Sequence, residues 1–198
     1  MRAARPYSSP GAQLRRAGFT MVELVVVIVL IGILGAIGAS RYFDSAAFSS
    51  RNQADQAKAL IRYAQKLAIA QNREIYVRAR TSGFAVCSTS NCAAGSLATD
   101  PSGSNNGSSA TKNECISNGV YVSTWACIGV SSDTTVSTPV PRNEFAANGY
   151  FYFDATGRPH NNGDPVGGNS TFTLLTLNFG SSNSNFTLYV EPETGYVH

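Results

Sequence analysis

The 198 residues carry 15 Lys+Arg against 12 Asp+Glu, a formal net charge of +3, with 43% hydrophobic and only 14% charged positions, 18 Gly and 8 Pro. Such a chain is neither disordered nor collagen-like, and its length suits one membrane segment plus one modest globular domain. The basic excess would point to nucleic acid, but Arg2, Arg5, Arg15 and Arg16 all lie in the first 18 residues, which hold no acidic residue, and the rest of the chain is −1.

The next segment explains that placement. Leu24 to Ala39 reads LVVVIVLIGILGAIGA without a charge, and an apolar run behind a positive start is the layout of an export signal. From Phe19 to Ala39 the run is interrupted only by Glu23; at 1.5 Å per residue this makes about 31 Å of helix, enough to cross a bilayer. An ordinary signal peptide cut after Ala36-Ile37-Gly38 or Ala39 and an uncleaved anchor both leave Glu23 unexplained, since an unpaired charge costs several kcal/mol in hydrocarbon. A cut between Gly18 and Phe19 would create an α-amino group about one helical turn from the Glu23 carboxylate, on this subunit or a neighbouring one.

Arg15-Arg16-Ala17-Gly18 followed by Phe19-Thr20-Met21-Val22-Glu23-Leu24 and the apolar run closely resembles the class III signal of type IV pilins and type II secretion pseudopilins. That resemblance implies cleavage by prepilin peptidase after Gly18, N-methylation of Phe19, and a role for Glu23 in methylation or subunit alignment. It also implies an apolar segment that first anchors the subunit in membrane lipid of the bacterial inner membrane and then forms the core of a filament. The proline that many relatives carry at the end of the apolar run is absent, Ser40-Arg41 standing in its place. Gly32, Gly35 and Gly38 recur every third residue, either as a small face for close helix packing or as a locally weak stretch.

Beyond Arg41 the pattern is amphipathic. Ala57, Leu60, Ala64 and Leu67, with Tyr63 beside them, follow steps of three and four, while Asp55, Lys58, Arg62 and Lys66 lie largely off that stripe. No proline occurs between residues 11 and 100, so one helix could run from near Phe19 to about Gln71, its first half projecting and its second half covering a sheet. After Asn72 the period becomes two. Ile75, Val77 and Ala79 share one face and Tyr76, Arg78 and Arg80 the other, with Phe84–Cys87 as the return strand after a Ser82-Gly83 turn. The Ser/Asn/Gly-rich stretch Ala94–Asn113 reads as loop. Further strands are expected at Val120–Val130, Tyr150–Asp154, Thr171–Phe179 and Asn185–Val190, giving an α+β class: a long N-terminal helix packed on an antiparallel sheet, as in the type IV pilin-like fold. The segments are then a leader (1–18), a membrane or filament-core helix (19–40), an amphipathic helix (41–72) and a β-rich periplasmic domain (73–198).

Phe151-Tyr152-Phe153-Asp154-Ala155-Thr156-Gly157-Arg158-Pro159, the ending Leu188–Val197 and the stretch Leu60–Val77 look like blocks of the GspH/FimT class, which implies a minor subunit that primes or caps a pilus or pseudopilus. Cys87, Cys92, Cys115 and Cys127 form an even set in a segment expected to be exported, so up to two disulfides are expected, with three connectivities open and proximity favouring Cys87–Cys92 and Cys115–Cys127. Their spacing, without a nearby His, matches no common zinc site. His160 and His198 sit in no nucleophile or metal motif, and Asp154 and Asp164 are read as turn residues. No catalytic residue, metal or cofactor is therefore expected. The expected partners are prepilin peptidase, other pilin or pseudopilin subunits and an inner-membrane assembly platform. The alternative is a DNA-binding minor pilin of the FimT type, whose contacts would be Arg73, Arg78 and Arg80 beside Tyr76, near Arg62 and Lys66.

Overall fold

The computed structural model describes residues 19–42, 45–146, 149–181 and 184–198, with the backbone alone described at 37–42, 45 and 46. The described chain divides into two compact units, one ending at Phe43 and the other running from Asp44 to His198. The first holds helix α1 (Met21–Tyr42), which continues through Ser40-Arg41. The second begins with α2 (Ser45–Gln71). Residues 43 and 44, where a single continuous helix would be decided, lie outside the described residues.

Helix α2 buries Ala54, Ala57, Leu60, Ile61, Ala64 and Ala68, a stripe in steps of three and four. Its centre lies one residue away from the expected Leu60–Leu67 line; Leu67 and Tyr63 flank it, half-buried. The small side chains let the helix approach the sheet closely. Strand β1 (Ile75–Arg80) pairs antiparallel with β2 (Gly83–Cys87) on one side and with β7 (Tyr150–Phe153) on the other. With β5 (Cys127–Gly129) and β8 (Pro159–Asn161) at the edges, the order is β5-β2-β1-β7-β8. A second sheet sets β9 (Leu175–Gly180) between β10 (Asn185–Val190) and β6 (Thr135–Ser137). A two-stranded ribbon joins β3 (Ile116–Ser117) to β4 (Val120–Tyr121).

Alternation gives the five-stranded sheet two chemically different faces. Ile75, Val77 and Ala79 of β1, with Phe84, Val86, Phe151 and Phe153, join the α2 stripe, and Leu175, Leu177, Phe179, Leu188 and Val190 of the second sheet complete one core. Phe84 stacks on Phe179 at 5.9 Å between ring centres, tying the sheets together. On the opposite face a smaller cluster gathers Ala85, Cys87, Cys92, Cys115, Trp125 and Cys127. Gly83 has a steric reason: a Cβ there would stand 2.3 Å from the carbonyl oxygen of Ile128.

The structure corrects several expectations. The α+β class with antiparallel pairing is as expected, but the strands divide between two sheets and a ribbon. Within the expected loop Ala94–Asn113 a short helix α3 (Ser109–Glu114) begins, capped by the Ser108 hydroxyl accepting from the Thr111 N–H at 3.2 Å. The expected strand Val120–Val130 is cut into β4 and β5 because residues 123–124 turn so that Trp125 can enter the smaller cluster. Residues 171–174 do not extend β9: Thr171 turns instead to Asp164, its N–H and hydroxyl donating to the carboxylate.

Candidate functional site

At the start of α1, Thr20 is the capping residue: its hydroxyl accepts from the Glu23 N–H at 3.2 Å while its carbonyl accepts from the Leu24 N–H at 3.2 Å. Thr20-Met21-Val22-Glu23 is thus a T-x-x-E capping sequence, a signal present in the sequence beside the more conspicuous Glu23. The cap places Phe19 just outside the helix, 78% exposed, and puts the Glu23 carboxylate in the first turn, where the helix dipole favours a negative charge. Gly18 and the arginine-bearing leader lie outside the described residues. From Phe19 to Ala36 every side chain is exposed, including Leu24, Ile28, Leu30, Ile31 and Leu34. Among the described residues no helix is long and apolar enough to cross a membrane; side chains in this segment are described only to Ala36.

The basic residues on β1 are not gathered into one open patch. Arg78 is held inside the fold: its Nη2 is 3.1 Å from the Glu114 carboxylate and its guanidinium lies 5.0 Å from the centre of the Trp125 ring. Burial lowers its pKa from the usual arginine range, with Glu114 opposing that shift. Arg73 is exposed and donates to the Gln71 side chain at 2.7 Å, and Arg80 is half-buried with its Nε enclosed. Arg62 turns to the other end of the domain, where its guanidinium donates to the Val197 carbonyl at 3.0 and 2.6 Å and lies over Tyr196. Gln65 donates to the carbonyls of Gly157 and Thr194. The late turn 191–198 is thereby clamped to α2, and Gly195, at φ +62, is required there because a Cβ would meet Gln65, Gly157 and Phe153 within 2.7 Å.

The cysteines pair as Cys87–Cys92 and Cys115–Cys127, with Cα atoms 5.2 and 5.7 Å apart. Both bridges lie in the smaller cluster beside Trp125, whose indole N–H donates to the Val86 carbonyl at 2.9 Å. Asp154 and Asp164 are turn builders. Asp154 accepts from the Thr156 and Arg158 N–H groups and the Thr156 hydroxyl, and Asp164 accepts from the Asn161 and Thr171 N–H groups. His160, 2% exposed, sits between them with Nε2 3.1 Å from Asp154 and Nδ1 3.8 Å from Asp164, stacked on Tyr152. Burial and the nearby carboxylates, Asp164 foremost, push the Tyr152 phenol up to about 12. Sequence reasoning missed the role of His160, although its spacing from two turn-type Asp residues is the signal that would have found it. Among the described residues no group of three or more His, Cys, Asp or Glu is placed to hold a metal ion.

Residues 13–39 match the family model of the prokaryotic N-terminal methylation motif. Over 62 residues, 31% of this chain, the sequence is 39% identical to the type IV narrow pilus major component PilA5 of Thermus thermophilus; the match spans 53%, about half, of that relative's length. The type IV minor pilin FimU of Pseudomonas aeruginosa strain PAO1 overlays with a TM-score of 0.43 at 13% identity, covering 75% of this chain and 85% of that one. The minor pseudopilin EpsH from the type 2 secretion system of Vibrio cholerae overlays with a TM-score of 0.41 at 10% identity, covering 76% and 94%.

Proposed function

We propose, from the premise that this chain carries the N-terminal methylation segment of type IV pilins and pseudopilins, that it is a minor subunit of a pilus or pseudopilus. Members of that family are structural subunits and not enzymes. In this reading the subunit enters the bacterial inner membrane by the segment 19–40, with residues 73–198 in the periplasm. Prepilin peptidase cuts between Gly18 and Phe19, Phe19 is methylated, and the subunit passes through the assembly platform into a filament, which it primes or caps. The observation that carries the reading is the match over residues 13–39. Support comes from the geometry of the first turn, where Thr20 caps α1 and leaves Phe19 free beside an acidic first turn.

Glu23 has two jobs in this scheme. It complements the helix N-terminus, and it lowers the cost of placing the new amine of Phe19, its own or a neighbour's, at the edge of hydrocarbon. Intact-mass analysis of protein from cells with and without prepilin peptidase tests the cut: Phe19 should be the first residue only where the enzyme is present. An N-terminus near Ser40 would instead mark an ordinary secreted protein. Glu23→Gln should still insert in membranes but lower the yield of sheared filaments. DNA binding through Arg73, Arg78 and Arg80 draws less support, because Arg78 is engaged by Glu114 and Trp125; a gel shift scanned over salt tests it.

A further inference from the structure

The outer face of the three-stranded sheet is built differently from the rest of the surface. In a chain with 14% charged residues, positions 165–190, which include β9 and β10, contain no Asp, Glu, Lys, Arg or His, and neither does β6. The inward positions Leu175, Leu177, Phe179, Leu188, Val190 and Val136 are buried in the core. Alternation leaves Thr135 and Ser137 of β6, Thr176 and Asn178 of β9, and Asn185, Thr187 and Tyr189 of β10 facing outward. Solvated surfaces ordinarily carry about a quarter to a third charged residues, and exposed sheet edges are usually guarded by Lys; this face has neither.

The face carries a shallow, open recess at one end. Thr135, Ser137, Asn178, Ser181, Ser184 and Asn185 line this recess of about 510 Å3, open enough for an extended chain to lie across it. Every lining side chain in that set is a hydroxyl or a carboxamide, a group that both donates and accepts hydrogen bonds. Asn178 accepts from the Thr187 hydroxyl through Oδ1, which orients its amide N–H groups as donors. Along β10 from Asn185, about 13 Å further at 3.3 Å per residue, stands Tyr189, stacked on His198, which in turn stacks on Tyr196. The outward row on the three strands is neutral, and at its aromatic end His198 is already paired with Glu191 at 3.0 Å and Arg62 with the Val197 carbonyl and the Tyr196 ring, so among the described residues no cation is left unpartnered there for a phosphate or a carboxylate. The row fits a neutral polyol: hydroxyls that donate and accept in equal measure, and an apolar ring face to lie on an aromatic side chain.

We propose that this face binds a neutral glycan chain, with Asn178, Asn185 and Thr187 holding hydroxyls and Tyr189 taking a sugar-ring face. The full chain, held in a zwitterionic detergent without a sugar headgroup, is incubated with chitin, cellulose and cross-linked dextran, and with heparin and double-stranded DNA beads as charged probes. Retention is expected on at least one neutral polysaccharide, unchanged between low and high salt, and displaced by the matching soluble oligosaccharide. Asn178→Ala with Thr187→Glu should cut that retention at least tenfold while the emission of Trp125, buried in the other sheet's cluster, stays native. Should the variant misfold, hydrogen exchange of the unaltered protein decides: the oligosaccharide should slow exchange in β9 and β10. Absence of retention on all three neutral polymers, retention on heparin or DNA that salt abolishes, retention unaffected by a folded variant, or unchanged exchange in β9 and β10 would each overturn the proposal. None of these outcomes depends on the N-terminal cut.

Discussion

Helices α1 and α2 are similar in length, 22 and 27 residues, and opposite in how their apolar surface is served. In α2 six small or branched residues on one stripe are buried, and the sheets of the same unit cover them. In α1 the apolar side chains described run round the whole helix and all are exposed. A helix that is apolar on every side needs apolar surroundings on every side, whereas α2 needs cover on one stripe only, and the sheets of its own unit supply it. The second unit thus holds a core of its own, and on the proposed function the exposed apolar surface of α1 is what would meet lipid or other subunits. Thr20 and Glu23, at its start, set where the helix begins and what charge stands there.

The largest effects should separate these two roles cleanly. Phe84→Ala removes the ring that joins the two sheets and should cost about 3–5 kcal/mol, read as a lower urea midpoint of the Trp125 emission change. Leu30→Ala in α1 should leave that midpoint unmoved; a shift as large as that of Phe84→Ala would mean the helices are not divided in this way. Leu30→Arg should do the reverse of Phe84→Ala. At roughly 3 kcal/mol for an arginine mid-membrane, it should lower the membrane-bound fraction and filament yield while the urea midpoint holds.

A second comparison lies within the five-stranded sheet, between the face packed by α2 and the face held by two disulfides. Replacing Cys115 and Cys127 by serine opens the longer covalent loop and should cost about 3 kcal/mol, against about 2 kcal/mol for Cys87 and Cys92, on a loop-entropy basis. Thermal unfolding of the two variants should rank in that order. In both, Trp125 should become more accessible to a soluble quencher, because it shares its cluster with both bridges.

How much of this is readable beforehand follows the strength of each local signal. The amphipathic period of α2 and the alternation of β1 are signalled within a few residues and are legible, whereas the even set of cysteines signals disulfides but leaves their connectivity to the fold. The splitting of the sheet is not legible, since it depends on Phe84 meeting Phe179 across 95 positions of chain. Nor is the engagement of Arg78. On a strand face an arginine reads as solvated, and only the fold brings Glu114 and Trp125 to it. Thr20 is legible yet easily overlooked, because a carboxylate beside an apolar run stands out more than the hydroxyl that caps its helix.

The smallest effect expected concerns Asp154, which holds the turn after β7 of the same sheet. Burial raises its carboxyl pKa, but the Thr156 hydroxyl, His160 and the N–H groups of Arg158 and Thr156 outweigh that, and the group is held below the usual aspartate range. A depressed carboxyl stabilises the fold at pH above the unfolded value of about 3.9, and that contribution is lost as the pH falls through the lower folded value. Asp154→Asn should therefore lower the urea midpoint modestly at pH 7, by about 1 kcal/mol for lost charge-assisted hydrogen bonds, and the difference from the unaltered protein should close below pH 4. A difference that stayed constant from pH 7 to pH 3 would mean that the turn depends on the shape of the side chain and not on its charge.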